Sequence, residues 1–345
     1  MKRALITGIT GQDGAYLARL LLDKGYEVFG GYELLPEPDV WRLQYLGIDK
    51  KINLFPIEVT DSESLIRAIQ FSQAQEVYHL AAKSFAGDAF NDPIAYGEVN
   101  GIAVTRLLEA VCQTDRRIRV FHAATGAFLD ASDGEPLAED SPLRATNPYT
   151  AAKLYGYWMT RIYRDSKGVF VCNGVLFNHE SPLRSLEFVT RKITNAAAKI
   201  SLGLEVELAL GNIDVARDWG YAPEYVEAMW LMLQRNEPDD YIIATNEAHT
   251  VREFTAKAFE TLGLDWQKCV KTEQKFYRVV EADRLQGDYS KARDKLGWQP
   301  KTVFSALIEI MVKEDRDRWQ RYLKGERFPW DVLDNPMEKD LLEQL

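Results

Sequence analysis

The sequence predicts an α/β protein: a Rossmann-like, doubly wound parallel sheet followed by a smaller C-terminal substrate-binding lobe. Three observations predict it. Short, near-continuous apolar runs alternate with amphipathic helical stretches through the first half of the 345-residue chain. A glycine trio follows the first predicted strand and opens the first helix. Beyond residue 180 the alternation loosens into polar and basic residues, short helices and Trp-rich stretches.

The elements follow in order. "RALITG" (3–8) reads as a buried strand, "AYLARLLLDKG" (15–25) as a helix ending on glycine, and "YEVFGG" (26–31) as the returning strand. Such a βαβ unit normally has a right-handed crossover. "INLFPIEV" (52–59) reads as a strand and "DSESLIRAIQFS" as a helix capped by its aspartate. "EVYHLAA" (76–82), "IRVFHAAT" (118–125) and "VFVCNGVLF" (169–177) are further strands. "VTRLLEAVCQT" and "YTAAKLYGYWMTRIYRDS" supply the helices between them. Residues 1–180 are thus expected to be mainly the dinucleotide-binding domain. Residues 181–315 should form mainly the second lobe, with chain crossings, and 316–345 a peripheral charged segment.

Composition narrows the function classes. Hydrophobic residues make up 46% and charged residues 27%, enough apolar content for a sizeable core. The chain carries 42 basic and 52 acidic residues, a net charge of −10, which argues against nucleic acid or an anionic membrane as partner. Cys112, Cys172 and Cys269 are scattered and odd in number, and the four histidines form no metal-ligand pattern. The opening "MKRALITGITG" lacks a secretory apolar stretch, and no run approaches a membrane span. A cytoplasmic, metal-free protein is expected.

"TGITGQDG" (7–14) spaces Gly8, Gly11 and Gly14 as G-x-x-G-x-x-G, with Thr10, Gln12 and Asp13 between them. Glycines there permit a tight turn and close approach to a pyrophosphate at a helix N-terminus. Glu33 lies nineteen residues after Gly14, at the end of the second predicted strand. A carboxylate there can accept from a ribose 2′-hydroxyl and repel a 2′-phosphate, so NAD is expected over NADP. Glu58 and Val59 end the next strand, where adenine would lie. Leu80, Ala81, Ala82 and Ser84 of "HLAAKS" would lie beside the nicotinamide ribose.

Tyr149 and Lys153 are four apart on one helical face, twenty-four residues beyond Thr125. A nearby ammonium is expected to lower the phenol's pKa, making Tyr149 a base toward a sugar hydroxyl. Thr125, Tyr149 and Lys153 are the catalytic candidates, and Tyr149 and Lys153 also face the cofactor ribose.

These residues resemble the extended short-chain dehydrogenase/reductase superfamily, and most nearly the GDP-mannose 4,6-dehydratase family. The resemblance spans about residues 1–310 and rests on "ALITGITGQDGAYLARLLLDKGYEV", "NPYTAAKLYGYW", "LFNHESPLR", "FVTRKIT", "LGNIDVARDWGYAPEYVEAMWLMLQ" and "DDYIIAT". It implies a nicotinamide cofactor, a GDP-linked sugar between two lobes, and a homodimer or homotetramer. It also implies that His179 and Arg184 approach the cofactor and that Asn178 faces the sugar diphosphate. Val189 and Lys192 would line the guanosine pocket. Arg217, Arg278 and Glu281 would bind on the phosphate or nucleoside side.

The chain departs from that family at three places. The family's mechanism oxidises C4, uses a glutamate two residues after the threonine to remove the C5 proton and expel water from C6, then returns the hydride. Here that position is Ala127. Asp130 and Asp133 lie near in sequence but are expected to point elsewhere. Leu34-Leu35-Pro36-Glu37 replaces an Arg-Arg-Ser-Ser run that grips the NADP phosphate and a neighbouring subunit. "KSF" (83–85) replaces Gln-Ser-His, leaving Lys83 and Ser84 beside the sugar. Hydride transfer at C4 of a GDP-hexose, as net oxidation, reduction or epimerisation, is therefore expected. A 4,6-dehydratase with a substitute acid/base, or a non-catalytic nucleotide-sugar-binding homologue, are the alternatives.

Overall fold

The computed structural model of the chain describes residues 1–34, 39–131, 134–276 and 282–326. Seven strands form one sheet: β1 (Arg3–Thr7), β2 (Glu27–Tyr32), β3 (Asn53–Pro56), β4 (Glu76–His79), β5 (Arg119–Thr125), β6 (Val171–Leu176) and β7 (Asp240–Ile243). Their order is β7-β6-β5-β4-β1-β2-β3 and every pairing is parallel. The order reverses between β1 and β4, which opens a crevice at the carboxyl ends of those strands.

Helices cover both faces. On one face α1 (Gln12–Asp23) packs with a later helix, α6 (Ala222–Leu233), through Leu17, Leu21, Met229 and Met232. On the other lie α2 (Ser62–Ser72), α3 (Ala103–Thr114) and α4 (Pro148–Lys167), burying Leu65, Ile69, Leu107, Leu108 and Tyr163. Strands buried on both faces need apolar residues at successive positions, which explains the unbroken hydrophobic runs. Asp61 caps α2 by accepting from Glu63 N and Ser64 N. Gly168 ends α4 with φ +67°.

A second lobe assembles from α5 (Val189–Ser201), α7 (Val251–Thr261) and α8 (Phe304–Leu323) around Ile193, Phe254, Phe259, Leu307 and Met311. These helices have 13, 11 and 20 residues, longer than the short helices expected. The chain crosses back between them, since α6 and β7 belong to the first lobe. The expected start of a peripheral segment at 316 falls inside α8. Asp315 and Arg318 are buried there, and Asp315 accepts from the buried Arg191 and from Thr194 Oγ1 at 2.6 Å. The stretch 327–345 lies outside the described residues.

Two expected strands are shorter than their apolar runs. β3 stops at Pro56: Ile57 N makes the last ladder bond, to Tyr32 O, and Glu58 N is then taken by Ser64 Oγ. β4 stops at His79: Leu80 N makes the last ladder bond, to Thr7 O, and Ala81 N is taken by the Thr7 side chain instead. Among the described residues no helix is long and apolar enough to cross a membrane, and no cluster suited to a metal occurs.

Candidate active site

The glycine turn between β1 and α1 is shaped for close approach. Gly8 has φ +72°, and a Cβ there would stand 2.7 Å from Ala81 N. At Gly14 a Cβ would stand 2.4 Å from Gly8 O. Gly11 caps α1 without a side chain, leaving first-turn N–H groups aimed outward. This cradle fits a dinucleotide phosphate. Gln12 serves a different purpose. Its amide donates to His179 O at 3.1 Å and accepts from Ser181 Oγ at 2.7 Å, linking the lobes. Arg42 donates to Thr10 O, Leu183 O and Ser185 Oγ, a second link.

Glu33 and Glu58 are exposed beyond β2 and β3. Glu58 accepts from Thr60 N and Thr60 Oγ1, while Val59 is buried beneath it. Leu80, Ala82 and Ser84 line the central cleft. Their loop is pinned by Asn100, whose side chain pairs with both Lys83 N and Lys83 O at 2.9 Å. Asn100 sits in a π-helical turn, Glu98–Ile102, and its signal in the sequence was only a polar residue inside an apolar helical stretch. Lys83 turns its ammonium toward Asp92, at 3.5 Å, and the Tyr96 ring, and does not line the cleft.

The cleft of about 700 Å³ runs along the carboxyl ends of β4, β5 and β6. Thr125 ends β5, and its Oγ1 accepts from Ala127 N at 3.2 Å. Asn147 caps α4 in a capping box with Thr150, and Pro148 starts the helix, so Tyr149 and Lys153 fall in its first turns. Thr125, Tyr149 and Lys153 line the same cleft. Burial raises the Tyr149 phenol, while the Thr125 hydrogen bond and the Arg184 charge act to lower it. The lowering influences are therefore Thr125 and Arg184. Lys153 Nζ instead donates to Ala123 O at 2.9 Å, and burial brings its pKa down to about 8 against the opposing pull of Asp13. Behind it, His79 and His122 stack with ring centroids 6.2 Å apart. Burial and the Lys153 charge push both downward, His79 to about 3, so both are neutral.

Asn178, His179 and Arg184 also line the cleft. His179 Nε2 lies 2.8 Å from Asp13 Oδ2. Arg184 lies 3.2 Å from Glu180 and over the Phe188 ring. Arg217 reaches the cleft from a short strand, Ala216–Arg217, and donates to Ala282 O at 2.9 Å. Val189 and Lys192 begin α5 outside the main cleft. Lys192 Nζ donates to Ala209 O at 2.8 Å and stands over the Phe276 ring. Arg278 and Glu281 lie outside the described residues, as do Leu35, Pro36, Glu37 and Asp133. Asp130 does line the cleft, contrary to expectation, because residues 128–130 pair with 142–144 and hold that stretch along the wall. Arg144, Asp283 and Arg284 are further charged lining residues that no motif had marked.

A parallel doubly wound sheet, a glycine cradle at its switch point, and Thr, Tyr and Lys at the carboxyl ends define an enzyme of the short-chain dehydrogenase/reductase class. The family model described as GDP-mannose 4,6 dehydratase matches residues 5–311, and the chain belongs to that family. It is similar to GDP-mannose 4,6 dehydratase 2 of Arabidopsis thaliana, 44% identical over 93% of this chain and 88% of that one. With the GDP-mannose 4,6 dehydratase of Homo sapiens it is 41% identical over 90% and 91%. Among solved structures it resembles the Thermus thermophilus UDP-glucose 4-epimerase in complex with NAD. That likeness has a TM-score of 0.79 and 26% identity, over 91% of this chain and 99% of that one. The Streptomyces venezuelae dTDP-glucose 4,6-dehydratase DesIV shares the fold, with a TM-score of 0.79 and 23% identity over 94% and 98% of the chains.

Proposed function

We propose that this enzyme transfers hydride at C4 of a GDP-hexose, using NAD(H), with net oxidation, ketone reduction or C4 epimerisation as its outcome. The observation that carries the reading is a complete Thr125, Tyr149 and Lys153 set beside a neutral Ala127. A bound nicotinamide supplies the hydride acceptor and donor. Tyr149 takes the C4 hydroxyl proton, and Thr125 Oγ1 orients that hydroxyl while favouring the ionised phenol. Lys153, anchored on Ala123 O, presents its charge to the cofactor ribose. Arg184 and Arg217 supply forked donors for the diphosphate. Val189 and Lys192 supply a guanine-side wall.

Ala127 has no proton to give or take, and a positioned acid/base contributes roughly 100- to 10,000-fold. Incubation with GDP-mannose and NAD, followed by mass spectrometry, tests the reading. The expected products retain the C6 hydroxyl. Efficient conversion to the 4-keto-6-deoxy sugar would sink it.

A second reading has two observations in its favour. Asp130 lines the cleft, and both curated relatives above are named as 4,6-dehydratases. On that reading Asp130 replaces the missing glutamate, water is lost from GDP-mannose, and Asp130→Asn abolishes the loss. On the first reading that substitution leaves C4 chemistry in place.

The outer face of α4 exposes Tyr155, Trp158 and Ile162. An apolar stripe of that kind supports a homodimer built on α3 and α4. The free thiols Cys112, Cys172 and Cys269 suit a reducing, cytoplasmic setting.

A further inference from the structure

The wall beside Ala127 carries a charge arrangement that C4 chemistry leaves unused. Ala127 follows Thr125 by two residues, is joined to it through the bond to Oγ1, and is exposed to the cleft. The next residues pair with a returning segment. Arg144 N donates to Phe128 O at 2.7 Å, Asp130 N donates to Pro142 O at 2.8 Å, and Leu129 bridges Leu143. This pairing sets Arg144 opposite Phe128, one residue from Ala127, and Ala127 and Arg144 line the same cleft. The Arg144 side chain is 63% exposed, and its Asp130 partner stands 3.7 Å away, too far for a hydrogen bond. An exposed pair of that length contributes little. The forked donors of Arg144 therefore remain available to an anion in the cleft.

We propose that Arg144 selects GDP-hexoses oxidised at C6, gripping a C6 carboxylate in the space left by Ala127. The inference rests on the GDP-sugar reading above. With the C4 hydroxyl between Thr125 and Tyr149, C6 is the exocyclic carbon two bonds from C4, carried by C5, and Ala127 lies two residues further along the wall. A glutamate at 127 would fill that space and repel a carboxylate. Alanine removes both the bulk and the charge, so the anion moves from the protein to the substrate. A C6 carboxylate also carries no hydroxyl to expel as water, so an elimination acid/base has no task. Asp130 is the opposing charge. Its side chain is less exposed, at 25%, and it stays on one edge of the guanidinium while the substrate takes the other. One arrangement thus accounts for the loss of the carboxylate at 127 and the presence of an arginine beside it.

The test uses the full-length protein with NADH bound, so that C4 is not oxidised during titration. GDP-mannuronate and GDP-mannose, which differ only at C6, are titrated by calorimetry at physiological ionic strength. The wild type is expected to bind GDP-mannuronate about ten-fold or more tighter, as a charge-assisted pair would give. In Arg144→Gln the ratio of the two affinities falls to near one. In Ala127→Glu it falls to one or inverts through repulsion. Equal wild-type affinities overturn the proposal, as does an Arg144→Gln loss shared equally by both sugars. Binding of GDP-mannose without preference overturns the C6 assignment and leaves the GDP-sugar reading standing. Failure to bind either sugar overturns both.

Discussion

His179 Nε2 meets Asp13 Oδ2 at 2.8 Å, joining the first turn of α1 to the strand that leads into the second lobe. Burial opposes both charges, yet the pair prevails. Asp13 is lowered by the His179 charge and hydrogen bond, with Arg184 assisting, and His179 is raised by the same contact. The imidazole ring also stacks on Tyr225 at 4.6 Å, so its orientation is set on two sides.

That coupling predicts a pH window for stability. His179, raised above its ordinary 6.5, contributes fully below 6.5 and loses its contribution as pH rises through the raised value. Asp13, lowered below 3.8, contributes fully above 3.8 and loses its contribution as pH falls through the lowered value. The pair therefore stabilises most between these limits. His179→Gln is expected to cost about 1.5–3 kcal/mol there, the range for a hydrogen bond to a charged group, since the Asp13 carboxylate is only partly buried. Urea unfolding across pH should show the difference from wild type shrinking above pH 6.5. A difference flat from pH 5 to 9 would count against the assignment.

Tyr149 and Thr125 predict a kinetic signature. Tyr149→Phe and Lys153→Met should each lower kcat for C4 oxidation by roughly 100- to 10,000-fold. Thr125→Val should do less to the rate but move the ascending, acid-side limb of kcat/KM to higher pH. It removes a hydrogen bond that lowers a phenol already raised by burial. An unmoved limb would mean that Thr125 does not assist Tyr149 ionisation.

Much of this site was legible because its parts are local. The glycine turn, the N-capped helix α2 and the Tyr149/Lys153 spacing depend on neighbours within a few residues. What stayed hidden depends on distant partners. Lys83 was expected beside the sugar, yet it is not among the residues lining the cleft, and its ammonium lies near Asp92 on a separate loop. Asp130 looked remote until the pairing of 128–130 with 142–144 turned it to the cleft. Residues 316–323 looked peripheral because they are charged. Arg318 is nonetheless buried beside Asp315, whose main partner Arg191 lies 124 residues earlier.

Glu33 predicts cofactor choice. It directly follows Tyr32, the last residue of β2, where an acidic side chain accepts from a ribose 2′-hydroxyl and opposes a 2′-phosphate. Arg42, the nearest downstream arginine in the sequence, is turned to Thr10, Leu183 and Ser185. Fluorescence titration should show NADH bound at least about ten-fold tighter than NADPH, the equivalent of ~1.4 kcal/mol. Glu33→Ala should narrow that gap chiefly by improving NADPH. Equal wild-type affinities would remove Glu33 from the cofactor assignment.

Gly8 combines two demands on the backbone. Its φ of +72° already disfavours any side chain, by about 1–2 kcal/mol for an L-residue. An alanine there would also place its Cβ 2.7 Å from Ala81 N and 2.9 Å from Leu80 C, both backbone atoms. These cannot swing aside as a side chain would, so the turn or the end of β4 must shift. Either shift moves Leu80 and Ala82 at the cleft as well as the phosphate cradle. Gly8→Ala should therefore lower stability by about 2 kcal/mol or more and weaken NADH binding beyond detection in the same titration. Gly25→Ala provides the control. Its φ is +79°, but nothing lies within 4 Å of the added Cβ, so it bears the conformational strain alone. It should lose a similar increment of backbone stability while binding NADH normally. If the two variants bind cofactor equally well, close approach at Gly8 is not what forms the cradle.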